Sequence, residues 1–246
     1  NERLVFNSQD KSVGVGGQWF APGLYAVNHD GSGFRQLVAV RGEILADHGL
    51  APKLLPWNTF LVSQVGKQDS DEVYVTTPTY TDSNQPELLH VGLLRLNTVT
   101  GRSESVRRPP GAREWLLDHR GEPRLVVSLE KSVETVYYRD PGEEQWRKLA
   151  SFDGYVGGPG AFQPLAFAPD GTLYVSSNAG KDKHALHAFD LKASKLQPKP
   201  LIELADYDFE GQLVTADGKL LGVSYLSDAR ATVWFDPAMK EVQARI

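Results

Sequence analysis

Residues 167–190 read FAPDGTLYVSSNAGKDKHALHAFD. The apolar run at Phe167-Ala168 ends in Pro169-Asp170-Gly171, and Thr172-Leu173-Tyr174-Val175 follows it. An Asp-Gly pair between two apolar runs is the strongest short-range signal for a β-hairpin. Leu186-His187-Ala188-Phe189-Asp190 then forms a further apolar strand closed by a carboxylate. An Asp or Asn in that place accepts bonds from backbone N–H groups two residues on and so fixes the next turn.

Outward from this stretch the same unit returns. Strands closed by Asp or Asn stand at Leu24-Tyr25-Ala26-Val27-Asn28, Leu93-Leu94-Arg95-Leu96-Asn97, Val136-Tyr137-Tyr138-Arg139-Asp140 and Val233-Trp234-Phe235-Asp236. Their anchors are spaced by about 69, 43, 50 and 46 residues. Between anchors lies a second hairpin, at Leu116–Val127 around Asp118 and Gly121, and at Val214–Val223 around Asp217-Gly218. Two hairpins in about 45 residues make a four-stranded meander, which is the blade of a β-propeller. The pattern predicts an all-β propeller with about five blades. Four read as nearly complete: Leu54–Val106, Arg113–Ala150, Phe162–Leu204 and Gly211–Ile246. The first is incomplete, with Arg3–Asn7, Tyr25–Asn28 and Arg35–Val38 as its second, third and fourth strands. The long first spacing predicts an insertion at Arg41–Pro56, and residues 1–246 read as one domain.

Composition narrows the function. With no Cys, the chain has no disulfide, no iron–sulfur cluster and no thiolate zinc site. Lys and Arg number 26 against 31 Asp and Glu, a net −5, which argues against a nucleic-acid partner. The charge-free stretch Gly154–Pro169 is broken by Gly and Pro, so no membrane partner is expected. Hydrophobic residues at 41% suffice for a core at this length. The chain opens at Asn1, without Met, close before Leu4-Val5-Phe6, which predicts a chain processed or cut from a longer one. Composition leaves a periplasmic or a cytoplasmic location open.

The run Glu2-Arg3-Leu4-Val5-Phe6, then Pro22–Val27 and Asp30-Gly31-Ser32-Gly33-Phe34-Arg35-Gln36-Leu37, resembles the propeller of bacterial prolyl-oligopeptidase-family serine peptidases of the dipeptidyl aminopeptidase and acylaminoacyl peptidase kind. Asp206-Tyr207-Asp208, Asp217–Tyr225 and Val233-Trp234-Phe235-Asp236-Pro237 are similar to the last blade before that family's catalytic domain. The resemblance implies a substrate gate. The family's propeller has seven or eight blades and caps an α/β-hydrolase domain carrying Ser, Asp and His, admitting short or unstructured peptides. The partners implied are that catalytic domain and peptide substrates. This sequence departs from the pattern at both ends, lacking the first blades and the hydrolase domain. Two alternatives stay open: a stand-alone propeller binding a protein or a small ligand, and a five-bladed glycosidase with an acid and a base at fixed separation.

No residue is assigned to catalysis, to a metal or to a cofactor. Gly222-Val223-Ser224-Tyr225-Leu226 has Leu226 where a nucleophile elbow needs its second Gly, so Ser224 reads as a strand residue. Asp206-Tyr207-Asp208-Phe209-Glu210-Gly211, with Leu213 and Asp217, follows part of a calcium-loop spacing. The strand read at Leu213–Ala216 prevents that loop from wrapping an ion. His184 and His187 fall on opposite faces if Lys183–Phe189 is a strand. Glu143-Glu144 follows the turn Asp140-Pro141-Gly142 and reads as solvated. The loops Gly14–Trp19 and Gly154–Gly160 lack a dinucleotide pattern. The five Trp, at 19, 57, 115, 146 and 234, and most Tyr lie in or beside strands, where packing between blades uses large flat side chains. Trp19 and Tyr155 beside Gly loops, and Arg230 at a hairpin, are the candidate rim or domain contacts.

Overall fold

In a computed structural model the described residues are 3–7, 23–40, 54–62, 70–158 and 160–245. They form five antiparallel sheets of three or four strands, the blades of a β-propeller. The first blade holds β1 (Arg3–Phe6), β2 (Leu24–Asn28) and β3 (Arg35–Val38). The second holds β4 (Phe60–Leu61), β5 (Glu72–Tyr80), β6 (Leu88–Asn97) and β7 (Ser103–Ser105). The third is β8 (Ala112–Leu117), β9 (Pro123–Glu130), β10 (Val133–Tyr138) and β11 (Arg147–Asp153). The fourth is β12 (Gln163–Phe167), β13 (Leu173–Ser177), β14 (Ala185–Asp190) and β15 (Lys195–Leu196). The fifth is β16 (Glu210–Ala216), β17 (Lys219–Leu226) and β18 (Arg230–Trp234), followed by the helix α1 (Pro237–Ala244). The chain divides into two compact units, residues 1–112 and 113–246.

Within each unit the blades are joined by apolar side chains of their middle strands. Leu24, Val38, Val75 and Leu96 join the first two blades. Leu125, Val136, Phe162, Leu173 and Phe189 join the third and fourth. Leu186, Ile202, Phe209 and Val223 join the fourth and fifth. Middle strands are covered on both faces, so Leu125, Val126 and Val127 are all buried in succession and simple alternation is lost there.

The last blade corrects the expectation of a nearly complete sheet over Gly211–Ile246, because a helix stands where its fourth strand was expected. The reason lies after the anchor. At Asn28, Asn97, Asp140 and Asp190 a residue with positive φ follows within four positions: Gly31, Gly101, Gly142 and Ser194. That residue turns the chain back into the outer strand. Asp236 accepts from Met239 N at 3.1 Å, much as Asp190 accepts from Ala193 N at 2.9 Å. Residues 237–240 are Pro-Ala-Met-Lys, with none in the left-handed region, so the capped turn runs on as a helix with Pro237 in its first turn.

Two arginines tie neighbouring blades by the same device. Arg3 Nη1 donates to the anchor Asn28 Oδ1 at 2.6 Å, and its Nη2 donates to Thr98 O of the next blade at 2.9 Å. Arg147 Nε donates to the anchor Asp140 Oδ2 at 2.5 Å, and its Nη2 donates to Leu191 O of the next blade at 2.7 Å. The Arg147 guanidinium also lies over the Tyr138 ring, 5.0 Å from its centroid. Arg147→Ala removes both charge-assisted bonds and is expected to cost about 1–2 kcal/mol, seen as a midpoint lowered by several degrees in thermal unfolding. An unchanged midpoint would remove the strut from the account of stability.

Candidate functional site

The fifth blade carries a cleft of about 260 Å³ lined by Glu210, Gln212, Ser224, Leu226 and Arg230. The register builds it. Glu210 pairs with Leu226 and Gln212 with Ser224 across β16 and β17. Leu226 pairs with Arg230 and Ser224 with Thr232 across β17 and β18. Directly opposed residues share a sheet face, so these side chains stand together. The other face sends Val223 into the core shared with the fourth blade, with Leu213, Tyr225 and Val233 packed against it. Gly211 and Gly222 allow the three strands to lie this close. A Cβ on Gly211 would come within 2.4 Å of Ser224 O, and one on Gly222 within 2.5 Å of Val233 O.

Glu210 and Arg230 are both exposed, and among the described residues neither takes an ion pair or a side-chain hydrogen bond. The cleft thus offers an acceptor carboxylate and a donor guanidinium to one ligand, with the Gln212 amide and Ser224 hydroxyl between them. The neighbouring carboxylates are engaged. The Tyr207 hydroxyl donates to Asp228, which raises the Tyr207 pKa above its ordinary value. Asp208 accepts from His184 N at 2.8 Å.

Arg230 begins β18 and is the one expected contact residue that joins this cleft. Tyr155 lies at the tip of the connection after β11, 87% exposed, on the third blade. Trp19, the loop Gly14–Trp19 and residues 41–53 of the expected insertion lie outside the described residues. Ser224 is in mid-strand, between Gln212 and Thr232. His184 precedes β14, which starts at Ala185, and its Nδ1 lies 3.2 Å from Ser176 Oγ. His187 is buried, with Nδ1 3.0 Å from Gln197 O. Glu143 and Glu144 are exposed in the turn after β10. The Trp115 and Trp146 rings meet edge-on at 5.8 Å, with the Arg139 guanidinium over Trp146.

Sequence reasoning missed Glu210 and Gln212 as partners of Arg230. The alternation of β16 read against β17 across the Asp217-Gly218 turn does not yield them, because the register shifts between Val214 and Thr215. Burial raises the Glu134 pKa, and the Glu114 charge adds to it. Glu114 lies on the first strand of its blade and Glu134 on the third, with β9 between them.

No family model and no curated protein matches the chain. TolB from Acinetobacter baumannii is similar in structure, with a TM-score of 0.51 at 13% identity, over 87% of this chain and 47% of that one. Porphyromonas gingivalis dipeptidyl peptidase 4 gives a TM-score of 0.47 at 14% identity, over 90% and 36%. The β-propeller domain of the Trilobed protease from Pyrococcus furiosus gives 0.42 at 10% identity, over 72% and 57%. The likeness to TolB bears on the fold alone, and the chain spans about half the length of that structure.

Proposed function

We propose that residues 1–246 form a single non-catalytic propeller domain of a prolyl-oligopeptidase-family serine peptidase. The domain admits short peptides to a catalytic α/β-hydrolase domain that this sequence does not contain. The observation that carries the reading is the unpaired Glu210 and Arg230 at one cleft. A peptide is a fitting ligand for that pair, since its terminal ammonium answers a carboxylate and its carbonyl or carboxylate oxygens answer a guanidinium. The resemblance of the segments around Arg3–Phe6 and Asp217–Pro237 to the family's propeller supports the same reading. Amide hydrolysis through an acyl-enzyme belongs to the catalytic domain.

Two measurements test this. The chain alone is expected to stay unlabelled by a fluorophosphonate, and Ser224→Ala to leave that result unchanged. Stoichiometric labelling would sink the division of labour. Tetraalanine with free termini, added to the isotope-labelled chain, is expected to move the amide resonances of residues 210–212 and 224–226. Its acetylated and amidated form is expected to move them far less. Equal shifts from both forms, or none at millimolar peptide, would remove the cleft as a peptide contact.

A further inference from the structure

The fifth blade ends on an open strand edge. Among the described residues β18 pairs with β17 and with no other strand. In an antiparallel pair, residues alternate between those that exchange both backbone bonds with the partner and those that turn both groups away. Phe235 N donates to Leu221 O at 2.8 Å and Ser227 N donates to Ala229 O at 3.1 Å, which fixes the alternation. Ala231 and Val233 therefore bond to β17, while Arg230, Thr232 and Trp234 turn their N–H and C=O groups outward. Among the described residues nothing bonds to those outward groups. The helix α1 follows after Asp236, and none of its side chains is buried.

The complete blades show what such an edge receives. On β14, Leu186 N donates to Ile202 O at 2.9 Å, Leu186 O accepts from Leu201 N at 2.7 Å, and Ala188 O accepts from Gln197 N at 2.9 Å. On β6, Leu93 O accepts from Val106 N at 2.9 Å. Charge follows the same pairing. Arg95 on β6 stands opposite Glu104 on β7, and its Nη2 donates to Glu104 Oε2 at 2.7 Å. Asp190 on β14 stands opposite Lys195 on β15. Arg230 lies on the equivalent third strand of its blade, exposed and with no ion pair among the described residues.

We infer that β18 accepts an added antiparallel strand from a separate polypeptide, an extended segment with a carboxylate opposite Arg230. Main-chain bonds supply the affinity in this mode, and alternate side chains supply the choice of partner. Val233 packs against the core shared with the fourth blade, so an aliphatic residue opposite it extends that core. Thr232 favours a β-branched neighbour and Trp234 an aromatic one. A second copy does not fit, since its own β18 reads Arg-Ala-Thr-Val-Trp and brings no carboxylate. The inference shares Arg230 with the cleft, but it rests on the backbone of β18 and not on the peptidase reading.

The test uses the full chain and the peptide Tyr-Val-Thr-Val-Glu, with fluorescein on its N-terminus and an amide at its C-terminus. Its residues fall opposite Trp234, Val233, Thr232, Ala231 and Arg230 in turn. Fluorescence anisotropy is expected to show it binding about fivefold more tightly than the version ending in lysine. Arg230→Ala is expected to bring the two within about twofold. N-methylation of the peptide threonine removes a donor aimed at Thr232 O and is expected to weaken binding by about tenfold or more. N-methylation of the second valine, whose N–H points away from β18, is expected to change it by less than about twofold. In hydrogen exchange the Thr232 amide is expected to be fast in the free chain and slowed by the peptide, with Ala231 and Val233 slow throughout. Equal effects of the two methyl groups, equal binding of the glutamate and lysine peptides, or no binding overturns the inference. A Thr232 amide already slow in a chain that sediments as a dimer would assign the edge to a second copy and overturn it equally. Both peptide termini are blocked, so failure here is separate from failure of the tetraalanine test of the cleft.

Discussion

Leu173→Ala is expected to destabilise residues 113–246 by about 3 kcal/mol, within the range of about 2–5 found for buried leucines cut to alanine. Leu173 is fully buried in β13, opposite Phe167 in β12 and Phe189 in β14. It belongs to the core that joins the third and fourth blades, so truncation leaves a void bounded by two sheets. Sheets tied through fixed backbone ladders relax little into such a void. Urea unfolding followed by circular dichroism is the measurement. A large part of a stability of about 5–15 kcal/mol is lost, with an unchanged slope. Leu173→Met keeps most of the volume and is expected to cost less than about 1.5 kcal/mol. A loss below about 1 kcal/mol for the alanine variant would mean that the two blades are not joined through this residue.

The second large effect is opposite in kind. Gly222→Ala adds one carbon where Val233 O would lie 2.5 Å away and the Trp234 backbone 3.2 Å away. Those neighbours are backbone, so β17 and β18 must separate for the methyl to fit. The expected cost is about 2–3 kcal/mol, the upper part of the range for overpacking. Ser224→Ala two residues on is expected to stay within about 0.5 kcal/mol. Thermal unfolding of both variants separates the roles. The Gly222-Val223-Ser224 triplet that looks like part of a nucleophile elbow is then a packing requirement at its glycine and a cleft wall at its serine. Equal midpoints for the two variants would refute the packing argument.

The blades were legible because each carries an anchor residue and a hairpin at near-regular spacing, and both devices act locally. The missing outer strand of the fifth blade was not legible from its anchor. Asp140-Pro141 and Asp236-Pro237 are the same dipeptide, and the difference lies in what comes next. Gly142 at φ 85° turns the chain back, whereas Ala238-Met239-Lys240 continues as helix. The cleft was hidden by a bulge. Counting back from the Asp217-Gly218 turn without interruption places Gln212 opposite Val223. The register shift between Val214 and Thr215 places it opposite Ser224 instead. A one-residue slip moves every side chain beyond it to the other face, so Glu210 and Gln212 meet Arg230 only once the bulge is known. Arg230 itself could be read, because its place at a hairpin depends on nothing further away than the turn.

The arginine struts bear on how such a chain can change over generations. Arg3 and Arg147 each grip their own blade through a side chain and the following blade through a main-chain carbonyl, at Thr98 and Leu191. A carbonyl is supplied by every amino acid, so the receiving position exerts no selection on residue identity through this bond. Drift there is tolerated, and a duplicated or transplanted blade meets its neighbour's arginine without any matching substitution. At these two junctions the bond therefore places no demand on which residue the following blade supplies.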